Sequence, residues 1–411
     1  MDNAPIAPEE VDFVREMRTR SYAEGSIFWA SDDELAIFDP ELAQKVNAIN
    51  FGDLTLPDKL GDVVRGRKGD PVSWRQVRLA MTAQLRNLSD AAAIGRLTAC
   101  MRELIEERLD RPLDLVWASQ QLCTRALMPA VIAGLSPADE ARIARDQDFK
   151  MARLVRTRSD GDSIWKEVRS IFIQVSAGNV VRRELRGRAR GRRPRQLDLT
   201  DPIVDLLPEL GVDRAVDAIT AVLTAIAGPP GAAAASLFYE LIRRPDWAER
   251  MTAELAPLAS EQLAGPPTQS APVTHRFVKE VLRVWSPPLF LTRLVRCPID
   301  LDKVKLDPGQ RYLQSTYLMH HDPRHWKDPD TFDPDRWLSG AEHGPCPYTY
   351  VPFGWSPKSC IGAALGTTQL MLLCHLFLTR YRIEVEEPES VRMMLAAVPL
   401  PVGFRGTISR R

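Results

Sequence analysis

"FGWSPKSCIGAALG", Phe353 to Gly366, is the stretch on which the fold of this chain turns. Phe353 and Gly354 precede a tight loop, Cys360 follows seven residues after Phe353, and Gly362 comes two residues later, at the start of an Ala/Leu-rich helical run over 360–380. This spacing puts Cys360 at or near a helix N-terminus. Unpaired backbone N–H groups and the positive end of the helix dipole favour a thiolate over a thiol there. A lone cysteine is ordinarily a small buried hydrophobe. The string around this one is too specific for that reading and points to a ligand.

The rest of the chain fits one large domain over 1–411. No Gly/Ser tract, disordered block or repeat divides its 411 residues. Lys plus Arg and Asp plus Glu are 54 each, so net charge gives no argument for a nucleic-acid partner. Cys100, Cys123, Cys297, Cys346, Cys360 and Cys374 are scattered without a CxxC pair, which suggests neither a zinc ribbon nor a disulfide framework. The start, "MDNAPIAPEEVDFVREM", has no basic n-region and no apolar h-region, so a cytoplasmic protein without a leader is expected.

Periodicity gives a mostly α chain with a small β portion drawn from both ends. Residues 26–39 read as a hairpin joined by Asp32-Asp33, and 40–49 as a helix with Pro40 in its first turn. Helical period dominates from about 73 to 244, then through 246–256 and 272–285. Residues 286–358 read as ordered, Pro-rich and mostly non-helical, and the tail as strands and turns. "VRRELRGRARGRRPRQ" (181–196) holds eight arginines and one acid, and reads as a solvated loop between helices. The six histidines, His275, His320, His321, His325, His343 and His375, lack metal-ligand spacing and read as structural.

One helical run violates its own propensities. Ala221 to Tyr239 carries no charged residue, yet Gly228, Pro229, Pro230 and Gly231 sit at its centre. Each proline costs about 3 kcal/mol in a helix interior. The run is long enough to cross a membrane. Its Ala, Gly and Pro content, bracketed by Asp217 and Glu240, instead suggests a core helix buried on all sides, with no membrane partner. Pro229 and Pro230 have no N–H, so the carbonyls of Ala225 and Ile226 lose their helical donors. The helix is expected to kink or open, and the freed carbonyls to find water or a ligand group.

A thiolate placed like Cys360 suits the axial position of a haem iron, where it pushes electron density toward O–O cleavage. Gly362 would let the macrocycle approach the backbone, and Lys358 would meet a propionate. The string resembles the haem-binding signature of the cytochrome P450 family, Phe-Gly-x-Gly-x-x-x-Cys-x-Gly. It matches at Phe353, Gly354, Cys360 and Gly362, with Ser356 in place of the second glycine. Further matches follow in order. "KEVLRVWSP" gives Glu280 and Arg283, and "FDPDRW" gives Arg336; in the family these form a buried ion-pair network behind the haem. "TRLVR" places Arg293 where the family has a propionate-binding arginine, and "WRQVR" gives Trp74 and Arg78 with a similar role.

The resemblance implies a triangular single domain of the cytochrome P450 fold, with haem b between a long central helix and the helix that follows the cysteine. It implies a monooxygenase acting on a small organic molecule, with electrons from a ferredoxin or flavodoxin and its reductase. The reading extends to secondary-metabolite biosynthesis, of a polyketide or peptide product, with a free or carrier-tethered substrate. The family's central helix carries Ala-Gly-x-acid-alcohol as its proton relay. Here Ala227 and Gly228 match, but Pro230 stands for the acid and Gly231 for the alcohol. A water held by backbone oxygens, or a substrate group, would have to replace that relay. Otherwise the chemistry is that of a peroxygenase, dehydratase or isomerase. A non-catalytic docking module for a carrier protein is a third option, against which the intact surroundings of Cys360 argue. By analogy, substrate would face 51–72, 150–165, 221–236, 287–292 and 397–403. Phe290 and Leu291 would form an apolar wall, and Arg153, Arg156 and Arg158 would meet an anionic substrate.

Overall fold

Aspartates and prolines start the helices. Asp39, Asp90 and Asp114 each accept a hydrogen bond from the backbone N–H three residues on, at Leu42, Ala93 and Trp117. These caps begin helices α2 (Pro40–Ile49), α4 (Ala91–Glu106) and α5 (Leu115–Val131); α1 (Asp12–Ala23) precedes α2, and α3 (Trp74–Asn87) lies between α2 and α4. The computed structural model describes residues 8–50, 74–155, 164–338 and 348–411. The expected substrate stretch 51–72, with Arg156 and Arg158, lies outside the described residues, as do His343, Cys346 and the side chains of Trp74 and Arg153.

The chain continues through α6 (Pro137–Val155), α7 (Ile164–Ala189), α8 (Asp201–Asp205), α9 (Leu207–Ile226), α10 (Pro229–Arg243), α11 (Pro245–Leu255), α12 (Pro267–Ser270), α13 (Pro272–Val284), α14 (Thr316–His320) and α15 (Ala363–Thr379). Helices α8 to α13 each carry a proline at the first or second position. Proline is tolerated there because the N–H it lacks would have no intrahelical partner.

Pro229 and Pro230 belong to the same class. The run expected to kink or open does open: it is two helices with a complete break at Ala227-Gly228. The Ala227 N–H closes α9 on the Thr224 carbonyl at 3.1 Å, and the Ala232 N–H opens α10 on the Gly228 carbonyl at 3.0 Å. The prolines therefore begin a helix rather than strain the middle of one.

The α9–α10 pair runs through the core, and residues 231–241 are all buried. The stretch 207–243 is the one described segment long and apolar enough to cross a membrane, and 61% of its most apolar window is covered by protein. Helix α10 lies closest to α5. At Gly231 the approach is so tight that a Cβ would fall 2.5 Å from the Cα of Gln120 and collide with its side-chain oxygen. Only glycine fits against a backbone at that range.

Among the described residues the β portion is four small sheets. Strands β2 (Ile27–Ser31), β3 (Glu34–Ile37), β8 (Arg311–Gln314) and β5 (Leu291–Leu294) form the largest, in that order. Strand β1 (Glu9–Glu10) runs parallel to β10 (Arg392–Leu395), so the two ends of the chain do meet.

The first part of the arginine run is helix, and only residues 190–196 form a loop. Residues 181–189 are the end of α7, and Arg188 is fully buried, with two hydrogen bonds of 2.8 Å to Asp198 and one of 3.0 Å to Glu184. Arg182, Arg183, Arg193 and Arg195 pair with Asp213, Asp139, Glu184 and Asp201, respectively. Two of these carboxylates, Asp139 and Asp213, come from other helices, which a local charge count does not see.

Gly231→Ala is expected to destabilise the fold by about 1–3 kcal/mol, the range for overpacking a core. A lowered denaturation midpoint at unchanged slope would show it.

Candidate active site

Cys360 sits in a loop closed by its own N–H, which donates to the Phe353 carbonyl at 2.7 Å. Gly354 makes the turn with a positive φ of 72°, and its N–H donates to the Val351 carbonyl at 2.9 Å. Helix α15 begins only at Ala363, with Gly362 as its N-cap, so Cys360 precedes the helix rather than opening it. The Cys360 side chain is exposed although protein surrounds it closely, as for a group lining a concavity. Gly362 leaves the flank of the sulfur clear, since even a Cβ there would stand 3.8 Å from Sγ.

The expectation of a thiolate set by the helix terminus needs correction. Burial pushes the Cys360 thiol up, and the Gly362 N–H and the Arg78 guanidinium only partly oppose it. A metal ion at the sulfur would remove the proton outright.

Two guanidinium groups, Arg78 against this loop and Arg293 on a strand tied to it, have no carboxylate partner among the described residues. Arg78, on α3 one turn after Trp74, donates to the Ser359 carbonyl at 2.5 Å and feels the charge of Cys360. Arg293, on β5, has a buried Nε with no hydrogen-bond partner among the described residues. Burial lowers the pKa of both. Buried unpaired charge is costly, so the pair calls for an anion. The two propionates of a haem b meet that need, and Cys360 offers the axial sulfur, so these residues fit the group.

Lys358 takes a different place from the one expected. Its buried ammonium donates to the Asn50 carbonyl at the end of α2. The Asn50 amide in turn donates to the Leu294 carbonyl at 2.9 Å and faces the Tyr312 hydroxyl. Lys358 thus ties the cysteine loop to the strand that carries Arg293.

At the break in the central helices, sequence reasoning left two freed carbonyls without partners. The structure gives the Ile226 carbonyl the Thr124 hydroxyl of α5, at 3.1 Å. The Ala225 carbonyl has no donor among the described residues. Pro229 and Pro230 are half-buried, while Ala227 and Gly228 are buried. Gly231, at the position of the family's alcohol, faces Gln120 of α5. Any side chain at this position would meet the neighbouring helix.

The expected apolar wall also shifts. Phe290 packs on Phe13, with ring centroids 5.1 Å apart, and lies 6.3 Å from Phe38. It belongs to an aromatic cluster with the N-terminal elements, while Leu291 opens β5 half-buried.

The ion-pair network lies where the motif order placed it. Glu280 and Arg283 are fully buried on one face of α13 and joined by bonds of 2.8 and 3.0 Å. Arg336 reaches Glu280 at 3.0 Å, and the Trp337 indole and Asp333 N–H complete the shell of the carboxylate at 3.0 and 2.9 Å. Arg283 also donates to the carbonyls of His320, Pro329 and Thr331. His320 carries the network to the cysteine loop. Its Nε2 accepts from the Val351 N–H at 2.9 Å, so Nδ1 holds the proton and donates to the Arg283 carbonyl at 3.0 Å. Burial, then Arg283, keeps this imidazole neutral, with a pKa well below the usual value. The sequence marked His320 as structural but gave no sign of this link. Glu280→Ala, which strands two buried guanidinium groups, is expected to cost about 3–5 kcal/mol. His320→Leu is expected to cost less and to loosen the cysteine loop, seen as faster amide exchange at Val351 and Cys360.

Comparison with known proteins agrees with this arrangement. The family model "Cytochrome P450" matches residues 232–402, beginning just after the break. Thromboxane-A synthase of Sus scrofa is 29% identical over 160 residues, 38% of this chain and 30% of that one. Cyclooctatin synthase of Streptomyces melanosporofaciens is 34% identical over 131 residues, 31% of this chain and 28% of that one. The matched stretch thus spans less than a third of these relatives' length. The solved cytochrome P450DA heme domain superposes with a TM-score of 0.74 at 18% identity, covering 98% of this chain and 93% of its own. A zebra fish cytochrome P450 structure with progesterone gives 0.76 at 18% identity, covering 96% of this chain and 99% of its own. Residues 232–402 thus match the cytochrome P450 family model in sequence, and the chain has the fold of solved cytochrome P450 structures along its length.

Proposed function

We propose that this chain is a haem-thiolate monooxygenase acting on a small organic substrate. The observation that carries the proposal is Cys360, exposed in its loop with Arg78 beside it, together with Arg78 and Arg293 lacking carboxylate partners among the described residues. Cys360 holds the iron of haem b, and Arg78 and Arg293 hold its propionates. Bound there, the haem supplies the thiolate-ligated iron at which dioxygen is reduced, with electrons from a ferredoxin- or flavodoxin-type donor and its reductase.

The chain's own part is positional and electrostatic. The Glu280 network fixes α13 against the segment leading to Arg336, and His320 passes that rigidity to the cysteine loop. Lys358 and Asn50 hold Arg293's strand beside the same loop. The protein is cytoplasmic in this proposal and works in secondary-metabolite biosynthesis, on a free or carrier-tethered substrate. Relatives named for the synthesis of particular products favour such a biosynthetic role.

One observation favours a second reading. Pro230 and Gly231 offer no side chain that moves a proton, and the space beyond Gly231 is filled. Peroxygenase, dehydratase or isomerase chemistry makes less demand on proton delivery from the protein.

The reduced protein with carbon monoxide is expected to show the red-shifted Soret band of a thiolate-ligated haem, and Cys360→Ser to lose it. An unshifted band in the wild type would rule out both readings. Turnover that needs a reductase and dioxygen supports the monooxygenase, whereas turnover with hydrogen peroxide alone, or with no oxidant, selects the second reading. Replacing Arg293 by leucine is expected to lower haem retention on a desalting column at least tenfold without changing the band position.

A further inference from the structure

Buried polar atoms without partners are concentrated beside the central-helix break. Ten such side-chain atoms occur among the described residues, and four belong to three residues of α5 and α6, the helices packed against α9 and α10: Asp146 Oδ1, Gln147 Oε1, and Gln120 Oε1 and Nε2. All three residues are at most 1% exposed. Each orphaned group costs about 1–3 kcal/mol unless something satisfies it.

These residues form an ordered row along α9 and α10. Lys150 of α6 donates to Asp146 at 2.6 Å and to the Thr224 hydroxyl at 2.9 Å. Gln147, on the same helix, directs Nε2 to the Leu223 carbonyl at 3.5 Å. Thr124 of α5 donates to the Ile226 carbonyl at 3.1 Å, and Gln120, one turn earlier, abuts Gly231. The contacts thus run from Leu223 to Gly231, across the break between the two helices. One end is wet: the Lys150 side chain is 17% exposed, against 2% for Asp146. The other end is the break.

We propose that α5 and α6 hold a chain of buried waters that carries protons from the Asp146–Lys150 pair to the break. This inference rests on the monooxygenase reading above. Buried waters typically make about three hydrogen bonds to otherwise unsatisfied groups, and the row supplies both donors and acceptors. The Gln120 amide offers one of each, and the Thr124 hydroxyl, already donating to Ile226, still accepts. A proton entering from bulk water at Asp146 releases another at the break, so the chain is unchanged after each transfer. Two such protons and two electrons from the external donor are consumed per dioxygen, giving one oxygen atom to substrate and one to water. The relay that the central helix lacks at Pro230 and Gly231 is thereby supplied from the flanking helices.

The test combines a high-resolution crystal structure of the wild-type holoenzyme with Gln120→Leu, Asp146→Asn and Thr124→Val. The crystal is expected to show ordered water within hydrogen-bond distance of the Gln120 amide and Gln147 Oε1. The variants are expected to lose about a hundredfold in coupled turnover. They should also release several-fold more peroxide per electron and show a larger solvent deuterium isotope effect, with the carbon monoxide band unchanged. Gln120→Glu, which keeps the length and a polar end, is expected to restore most of the coupling. A dry Gln120 in the crystal, or variants that couple like the wild type, would overturn the proposal. Should the wild type show the thiolate band but no reductase-driven turnover, the monooxygenase reading fails. The proton-delivery role falls with it, while the crystal still judges the waters separately.

Discussion

The buried Glu280 carboxylate is the constraint from which the site is built. It accepts from two guanidinium groups, an indole and a backbone N–H, contributed by α13 and the segment around Arg336. Removing such a charge from water is expensive, and only a complete shell of donors offsets it. The cost makes the arrangement all-or-none and fixes the direction of every element that reaches it. Arg283 extends the shell to three backbone carbonyls, and His320 relays it to Val351 and so to the cysteine loop. The sulfur position therefore depends on a carboxylate that never touches it.

The break between α9 and α10 is the second organising feature. Two prolines remove the donors of the last carbonyls of α9, and they also make an ordinary start for α10. The outcome is a packing solution rather than a strained kink. Glycine at 231 lets α10 lie against the backbone of α5, and Thr124 of α5 supplies the hydroxyl that Ile226 lacks. The same close approach brings Gln120 to the place where a side chain at 231 would otherwise stand.

Much of this was legible in the chain as written. The cysteine loop, the Glu280–Arg283–Arg336 set, the hairpin at 26–39 and the α-rich middle come from motif and period, because each is set by neighbours close in sequence or by a fixed residue order. Lys358 and Phe290 were misplaced for the opposite reason. Their partners, Asn50 for one and Phe13 and Phe38 for the other, lie hundreds of residues away. The arginine run at 181–196 read as a solvated loop because its carboxylates come from Asp139, Asp198, Asp201 and Asp213.

By itself, the sequence determined that a cysteine would close a tight loop before an apolar helix and that the central run would kink or open, which are local facts of spacing and missing N–H groups. The buried network of Glu280, Arg283 and Arg336 was implied by the resemblance to a family. Tertiary structure alone decided where the broken helix would turn for its partners. Backbone carbonyls and buried amides take whatever donor the neighbouring helix presents, and which residue of α5 or α6 faces the break depends on helix packing that no local pattern encodes.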